Sequence, residues 1–216
     1  MNTELARQQM VYQQVRAWDV FAPDVLDTLA SVARERFVPE AWRDAAFADI
    51  NIPLGSGQRM FTPKLEGRIL QALDIAATDS VLEIGCGSGF LTACLAMLGG
   101  RVHALDRLDA MVAMTEANLA ANEIDGVQVE ALDVTLGLPQ QQYDVIVVGG
   151  SVATSLKPFE AQLKTGGRLF AVTGEGATAV AMRVRKFSDE RWEREALFET
   201  ALPPLHDFAM PATLDF

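Results

Sequence analysis

One stretch, Val81-Leu82-Glu83-Ile84-Gly85-Cys86-Gly87-Ser88-Gly89, constrains the rest of the chain. A short apolar run contains an acid near its end. Glycines then follow at alternate positions, and Phe90-Leu91-Thr92 opens a helical pattern. Such a run reads as a strand, a tight turn and a helix start. In an open α/β domain this corner faces a nucleotide, because ligands sit outside the carboxyl ends of the strands.

The residues that follow keep this rhythm. Ser80–Ile84, Arg101–Leu105, Val127–Leu132, Tyr143–Val148 and Gly167–Thr173 read as strands. Phe90–Leu98, Leu108–Asn122 and Pro158–Leu163 read as the helices between them, with Met111, Val112, Thr115 and Leu119 on one apolar face. Thr178–Phe187 and Arg191–Thr200 flank the turn-like Ser188-Asp189-Glu190 and predict an antiparallel hairpin at the sheet's end. Upstream the pattern is helical. Thr3–Trp18 predicts one helix and Pro23 opens a second, with a short turn at 41–46. Phe47–Arg59 is loop-like. Thr62-Pro63 then marks a helix start, a hydroxyl cap followed by proline. The fold class expected is α/β: a doubly wound, mainly parallel sheet with an antiparallel C-terminal hairpin and an N-terminal helical cap. We read residues 1–216 as a single domain: 1–60 cap and loop, 61–200 ligand-binding core, 201–216 tail.

Composition removes several function classes. The formal net charge is −11 over 216 residues, the wrong sign for a general nucleic-acid binder. No apolar run approaches the roughly 20 residues that span a bilayer, so no membrane partner is expected. The polar N-terminus lacks the apolar centre of a signal peptide, which makes the cytoplasm the expected compartment. Two cysteines, Cys86 and Cys94, read as reduced thiols, and His103 and His206 stand apart, so no metal is expected. Oligomeric state is not legible.

Four strand ends carry suggestive chemistry: Glu83 with its glycine loop, Asp106, Asp133, and Gly149-Gly150. The spacing Gly85-x-Gly87-x-Gly89 is tighter than the dinucleotide motif. It is the form found in S-adenosylmethionine-dependent methyltransferases, and it disfavours a nicotinamide cofactor. A carboxylate at Asp106 can accept both ribose hydroxyls of an adenosine, and Asp133 can meet the adenine edge. The candidate cofactor-binding set is Glu83, Gly85, Cys86, Gly87, Gly89, Asp106, Arg107, Asp133 and Val134.

Beyond this corner, the chain resembles the protein-L-isoaspartate O-methyltransferases. The resemblance rests on Met10-Val11 with Gln14 to Ala17, Arg36-Phe37-Val38-Pro39-Glu40, Ala48-Asp49, Pro53-Leu54, Gly55-Ser56-Gly57-Gln58, the glycine loop, Tyr143-Asp144-Val145-Ile146, and Leu163 to Leu169. It implies a Rossmann-like fold and methyl transfer from S-adenosylmethionine to the free carboxylate of isoaspartyl residues in damaged proteins. That carboxylate is ionised at neutral pH, its reference pKa being about 4, so no general base is required. The resemblance places the acceptor site at Gly57, Gln58, Arg59, Phe61 and Thr62. Gln58, Phe61 and Thr62 are the catalytic candidates, Gly57 and Arg59 the substrate-binding ones. The family's segment normally carries a serine at the position of Phe61. Either Thr62 or a backbone N–H replaces that serine, or the pocket is rebuilt for another acceptor, with Arg59, Lys64 and Arg68 as a basic cluster. A non-catalytic relic is a further reading.

Overall fold

The computed structural model describes residues 3–153, 155–174 and 176–205. The chain enters as α1 (Thr3–Gln9), continues through a π-helical turn (Met10–Val15) and a 3₁₀ turn (Arg16–Trp18), and reaches α2 (Pro23–Ser31). Thr3–Trp18 is therefore one helical run, as the spacing predicts, but its winding changes twice. Met10, Val11 and Val15, all in the π-helical turn, face the core, while α1 buries nothing. The turn expected at 41–46 is a 3₁₀ helix over Glu40–Ala45.

Two short strands follow, β1 (Pro53–Gly55) and β2 (Gln58–Arg59), paired antiparallel. Gly57, at φ +77°, lies in the turn between them. The helix α3 (Pro63–Leu73) starts where Thr62-Pro63 signals it, but the Thr62 hydroxyl makes no capping bond. Proline at the first position has no N–H to satisfy, so less capping is needed there.

The main sheet is built from β3 (Ser80–Ile84), β4 (Arg101–Asp106), β5 (Val127–Ala131), β6 (Tyr143–Val152), β7 (Leu163–Thr173), β8 (Val180–Lys186) and β9 (Trp192–Glu199). The helices α4 (Phe90–Met97), α5 (Asp109–Ala121) and α6 (Lys157–Glu160) complete the fold. Strand order is β5-β4-β3-β6-β7-β8-β9, with the first five strands parallel and β8 and β9 antiparallel. The order reverses between β3 and β6, which places a ligand crevice beside the glycine loop. Two strands are longer than the sequence pattern indicates. β6 runs through Gly149-Gly150 to Val152, and β7 begins at Leu163 rather than at Gly167. The outer pairs Tyr143–Leu163, Ser151–Val172 and Val152–Thr173 lie beyond register shifts that pass over these residues, and local propensity does not report such long-range pairing.

Alternating side chains divide the interior. Val81, Val145 and Val147 join one core with α3, α4, α5 and the cap, while Leu82, Ile146 and Val148 join the other with Phe159. The first core holds Met10, Val15, Val25 and Leu29 together with Ala93, so cap and sheet share one interior. The crossover from β5 to β6 contains no helix. Leu132, Val134 and Leu138 pack that loop on the second core.

The cap closes on α3 at Gly67. A Cβ there would lie 2.6 Å from Val15 Cγ1 and 3.2 Å from Val20 Cγ2. Glycine inside a helix costs about 1 kcal/mol relative to alanine, and the close approach of the cap offsets it. Gly67→Leu is expected to destabilise by about 1–3 kcal/mol, read as a lower midpoint in urea unfolding.

Candidate functional site

The glycine loop is anchored from two sides. The Gly85 and Cys86 N–H groups donate to the Leu105 carbonyl at 2.7 and 3.2 Å, which ties the loop to the end of β4. From α5, the Thr115 hydroxyl donates to the Gly87 carbonyl at 3.1 Å, and the Asn118 amide donates to the Ser88 carbonyl at 2.8 Å. Gly85 and Gly89 hold φ of +87° and +80°, which a side chain would resist. A Cβ on Gly89 would also press on Thr115, 3.1 Å away. From sequence Thr115 reads as one more residue of an apolar helical face. Its hydroxyl role appears only once α5 lies beside the loop.

One cleft runs past this loop. Among its lining residues are Glu83, Gly85, Cys86, Gly87, Asp106, Arg107, Asp133 and Val134 on one side, and Gln58, Arg59 and Phe61 on the other. Gly57, Thr62 and Gly89 are not among the lining residues. Gly57 shapes the β1–β2 turn, Gly89 the start of α4. The Thr62 carbonyl accepts the Leu65 and Glu66 N–H groups at 3.1 and 3.2 Å. Further residues line the cleft without a readable sequence signal, among them Asn51, Met60, Glu66, Pro203 and Leu205. The last two arrive through a strand-like pairing. The Ser151 N–H donates to the Pro203 carbonyl at 2.9 Å, and the Leu205 N–H donates to the Ser151 carbonyl at 2.8 Å. The expected tail at 201–216 thus begins as a wall of the cleft, and 206–216, with His206, lie outside the described residues.

The carboxylates are tuned differently. Glu83 is 1% exposed, and its Oε2 has no hydrogen-bond partner. Burial pushes its carboxyl up to about 8, and Asp106 nearby adds to the rise. Asp106 accepts from the Leu108 N–H at 3.0 Å and the Gly87 N–H at 3.3 Å. Burial raises it, and these bonds and the Arg107 charge oppose the rise. Asp133 accepts from the Thr135 hydroxyl and N–H at 2.7 and 2.9 Å, which holds its carboxyl below the ordinary range. Cys86 is buried and its thiol is pushed up to about 12, so it is no nucleophile.

An adenosyl sulfonium cofactor fits these residues. The loop's glycines offer main chain without side chains, Asp106 is a buried acceptor beside it, and Glu83 lines the same cleft with an oxygen that has no hydrogen-bond partner.

The basic cluster read from sequence divides. Lys64 pairs with Asp49 at 2.6 Å and stands over the Trp18 ring, and Arg68 pairs with Asp19 at 3.3 Å. Arg59 alone of the three lines the cleft. His103 does not stand apart. Its Nδ1 meets the Tyr143 hydroxyl and its Nε2 meets Glu130, each at 2.8 Å. No three His, Cys, Asp or Glu among the described residues are grouped to hold a metal.

Comparison with known proteins decides the family. The family model described as "Protein-L-isoaspartate(D-aspartate) O-methyltransferase" matches residues 6–208. The chain belongs to the protein-L-isoaspartate O-methyltransferase family. Among relatives of this methyltransferase, protein-L-isoaspartate O-methyltransferase 1 of Rhodopseudomonas palustris (strain HaA2) is 36% identical over 201 residues. That match covers 92% of this chain and 82% of the relative. The Aeropyrum pernix enzyme is 35% identical, covering 93% and 79%. A Plasmodium falciparum structure, described as a protein-L-isoaspartate O-methyltransferase in complex with S-adenosyl-L-homocysteine, superimposes with a TM-score of 0.79. It is 19% identical and covers 92% of this chain and 97% of its own, a likeness of fold.

The raised Glu83 carboxyl has a consequence for this methyltransferase's stability. Its folded value of about 8 exceeds the 4.5 of a free glutamate. The folded state therefore binds the proton more tightly. The stabilisation is complete below the lower value and is lost as pH rises through the upper one. Urea midpoints measured across that window should fall with pH in the native protein, and less so in Glu83→Gln.

Proposed function

We infer that this chain transfers the methyl group of S-adenosylmethionine to the free carboxylate of an isoaspartyl residue in a protein or peptide. The reading is carried by one cleft lined by both the glycine loop and the Gln58–Phe61 segment, in a chain of this family.

S-adenosylmethionine supplies an electrophilic methyl carbon on a positively charged sulfur. The acceptor carboxylate oxygen forms a bond to that carbon as the carbon–sulfur bond breaks. Opposite charges cancel, leaving a neutral ester and a thioether. No proton moves, so the protein's work is alignment and exclusion of water.

In this reading Gly85, Cys86, Gly87 and Gly89 form the cradle. Asp106 receives the ribose hydroxyls, with Arg107 beside it, and Asp133 with Val134 borders the adenine. Glu83 faces the cofactor's positive charge. On the acceptor side Gly57 and Gln58 set the loop and Arg59 draws an anionic substrate to the lip of an acidic protein. Met60 and Phe61 keep water from the line of attack, and Thr62 anchors the loop to α3. Phe61 cannot donate the hydrogen bond implied for a serine there, so main-chain groups of the loop take that part.

The chain works as one unit, with 1–60 as cap and acceptor loop, 61–200 as cofactor core and 201–216 as tail. Cys86 and Cys94 are free thiols, and no helix among the described residues is long and apolar enough to cross a membrane. Both features suit the cytoplasm.

Methyl incorporation into an isoaspartyl peptide, against its normal aspartyl counterpart, tests the reading. Incorporation into the isoaspartyl peptide alone is expected; equal or absent incorporation with the cofactor bound would sink it. A second expectation concerns pH. Glu83 must lose its proton to face a cation, so cofactor affinity rises with pH toward about 8. Calorimetric titration should show that rise in the native protein and a weaker, flatter response in Glu83→Gln.

A further inference from the structure

The acceptor side of the cleft is held by its main chain. The Met60 N–H donates to the Ile52 carbonyl at 2.8 Å, and the Asn51 side-chain amide donates to the Met60 carbonyl at 3.1 Å. The next carbonyl, Phe61, accepts from Arg34 Nη2 at 2.6 Å. Consecutive carbonyls at the cleft wall are thus gripped by side chains from two other segments. Arg34 is fully buried. Its Nε donates to the Ala46 carbonyl at 2.8 Å, its Nη1 to Glu66, and its guanidinium stands 4.8 Å from the centre of the Phe90 ring.

A buried cation needs a counter-charge and a partner for each donor. Burial works against both charges of the pair, lowering Arg34 and raising Glu66, while their mutual attraction opposes that. A guanidinium keeps its proton in proteins, so Glu66 is its carboxylate. Only the planar fork of an arginine can serve Ala46, Phe61 and Glu66 together; a lysine is a point charge.

We propose that Arg34 and Asn51 are positioning residues for the acceptor. They hold the Phe61 and Met60 carbonyls so that the wall facing the methyl donor keeps its shape whatever side chains it carries. Arg34 touches the Phe61 main chain, not the reacting atoms, and Glu66 orients Arg34. This inference rests on the methyl-transfer reading for its kinetic readout and on the geometry alone for its structural one.

The test uses the full chain with Arg34→Lys and, at an exposed position that folding tolerates, Asn51→Asp, which places an acceptor against an acceptor. Loss of one such bond predicts an acceptor KM raised about tenfold in either variant. Cofactor affinity stays within about twofold and kcat is little changed. Amide hydrogen exchange is expected to speed up at 58–61 and to stay unchanged at the glycine loop. Unchanged KM and unchanged exchange in the folded variants overturn the proposal, as does a parallel loss of cofactor affinity, which marks a general structural role. If Arg34→Lys does not fold, Asn51→Asp decides. If the native protein leaves isoaspartyl peptides unmethylated, the functional reading fails, and hydrogen exchange alone still decides whether the clamps hold the wall.

Discussion

The two hydrogen bonds from the Gly85 and Cys86 N–H groups to the Leu105 carbonyl govern the site. They join the turn after β3 to the end of β4, and so set the distance between the glycine loop and Asp106. Everything at the cofactor side follows from that distance. Asp106 reaches back to the Gly87 N–H, and α5 lies close enough for Thr115 and Asn118 to bond the loop carbonyls. A parallel sheet delivers all its carboxyl ends to one edge, so Glu83, Asp106 and Asp133 converge there although they are far apart in sequence.

The acceptor side obeys a different logic. It lies outside the main sheet, on a two-stranded hairpin and the loops around it. Such a segment has few main-chain partners of its own, and the cap supplies them. Gln14 donates to the Phe47 carbonyl at 2.9 Å, and Arg34 spans Ala46 and Phe61. Removing one member of a buried ion pair costs about 3–5 kcal/mol, so Arg34 and Glu66 also bind the cap to α3. The cap is therefore not a lid on a finished domain. Its apolar residues enter the same core as the sheet, and its polar ones hold the Ala46, Phe47 and Phe61 carbonyls.

Much of this was legible in the residues. The alternation of strands and helices from Ser80 onward, the hairpin after Thr178, the start of α3 at Pro63 and the convergence of Glu83, Asp106 and Asp133 all follow local patterns. The winding of Met10–Val15 did not follow one, because the choice between α and π turns depends on what the side chains pack against. The full lengths of β6 and β7 were hidden for a similar reason, since their outer pairs, Tyr143–Leu163 and Ser151–Val172, lie beyond register shifts. Arg34 and Thr115 were missed as site-forming residues. A buried arginine and a buried threonine carry no signal in their own neighbourhood that distinguishes them from a surface charge and a helix filler.

The sequence by itself determined the glycine-loop corner. Glycine spacing and the residues at successive strand ends are properties of short stretches, and backbone geometry makes short stretches decisive. Tertiary structure completed the other wall. It brought Asn51, Met60 and Glu66 into one cleft with Gln58, Arg59 and Phe61, laid Pro203 and Leu205 along β6, and paired Lys64 and Arg68 elsewhere, leaving Arg59 at the cleft. These placements come from long-range packing and from the need of buried polar groups for partners. Neither is written in any window of neighbouring residues.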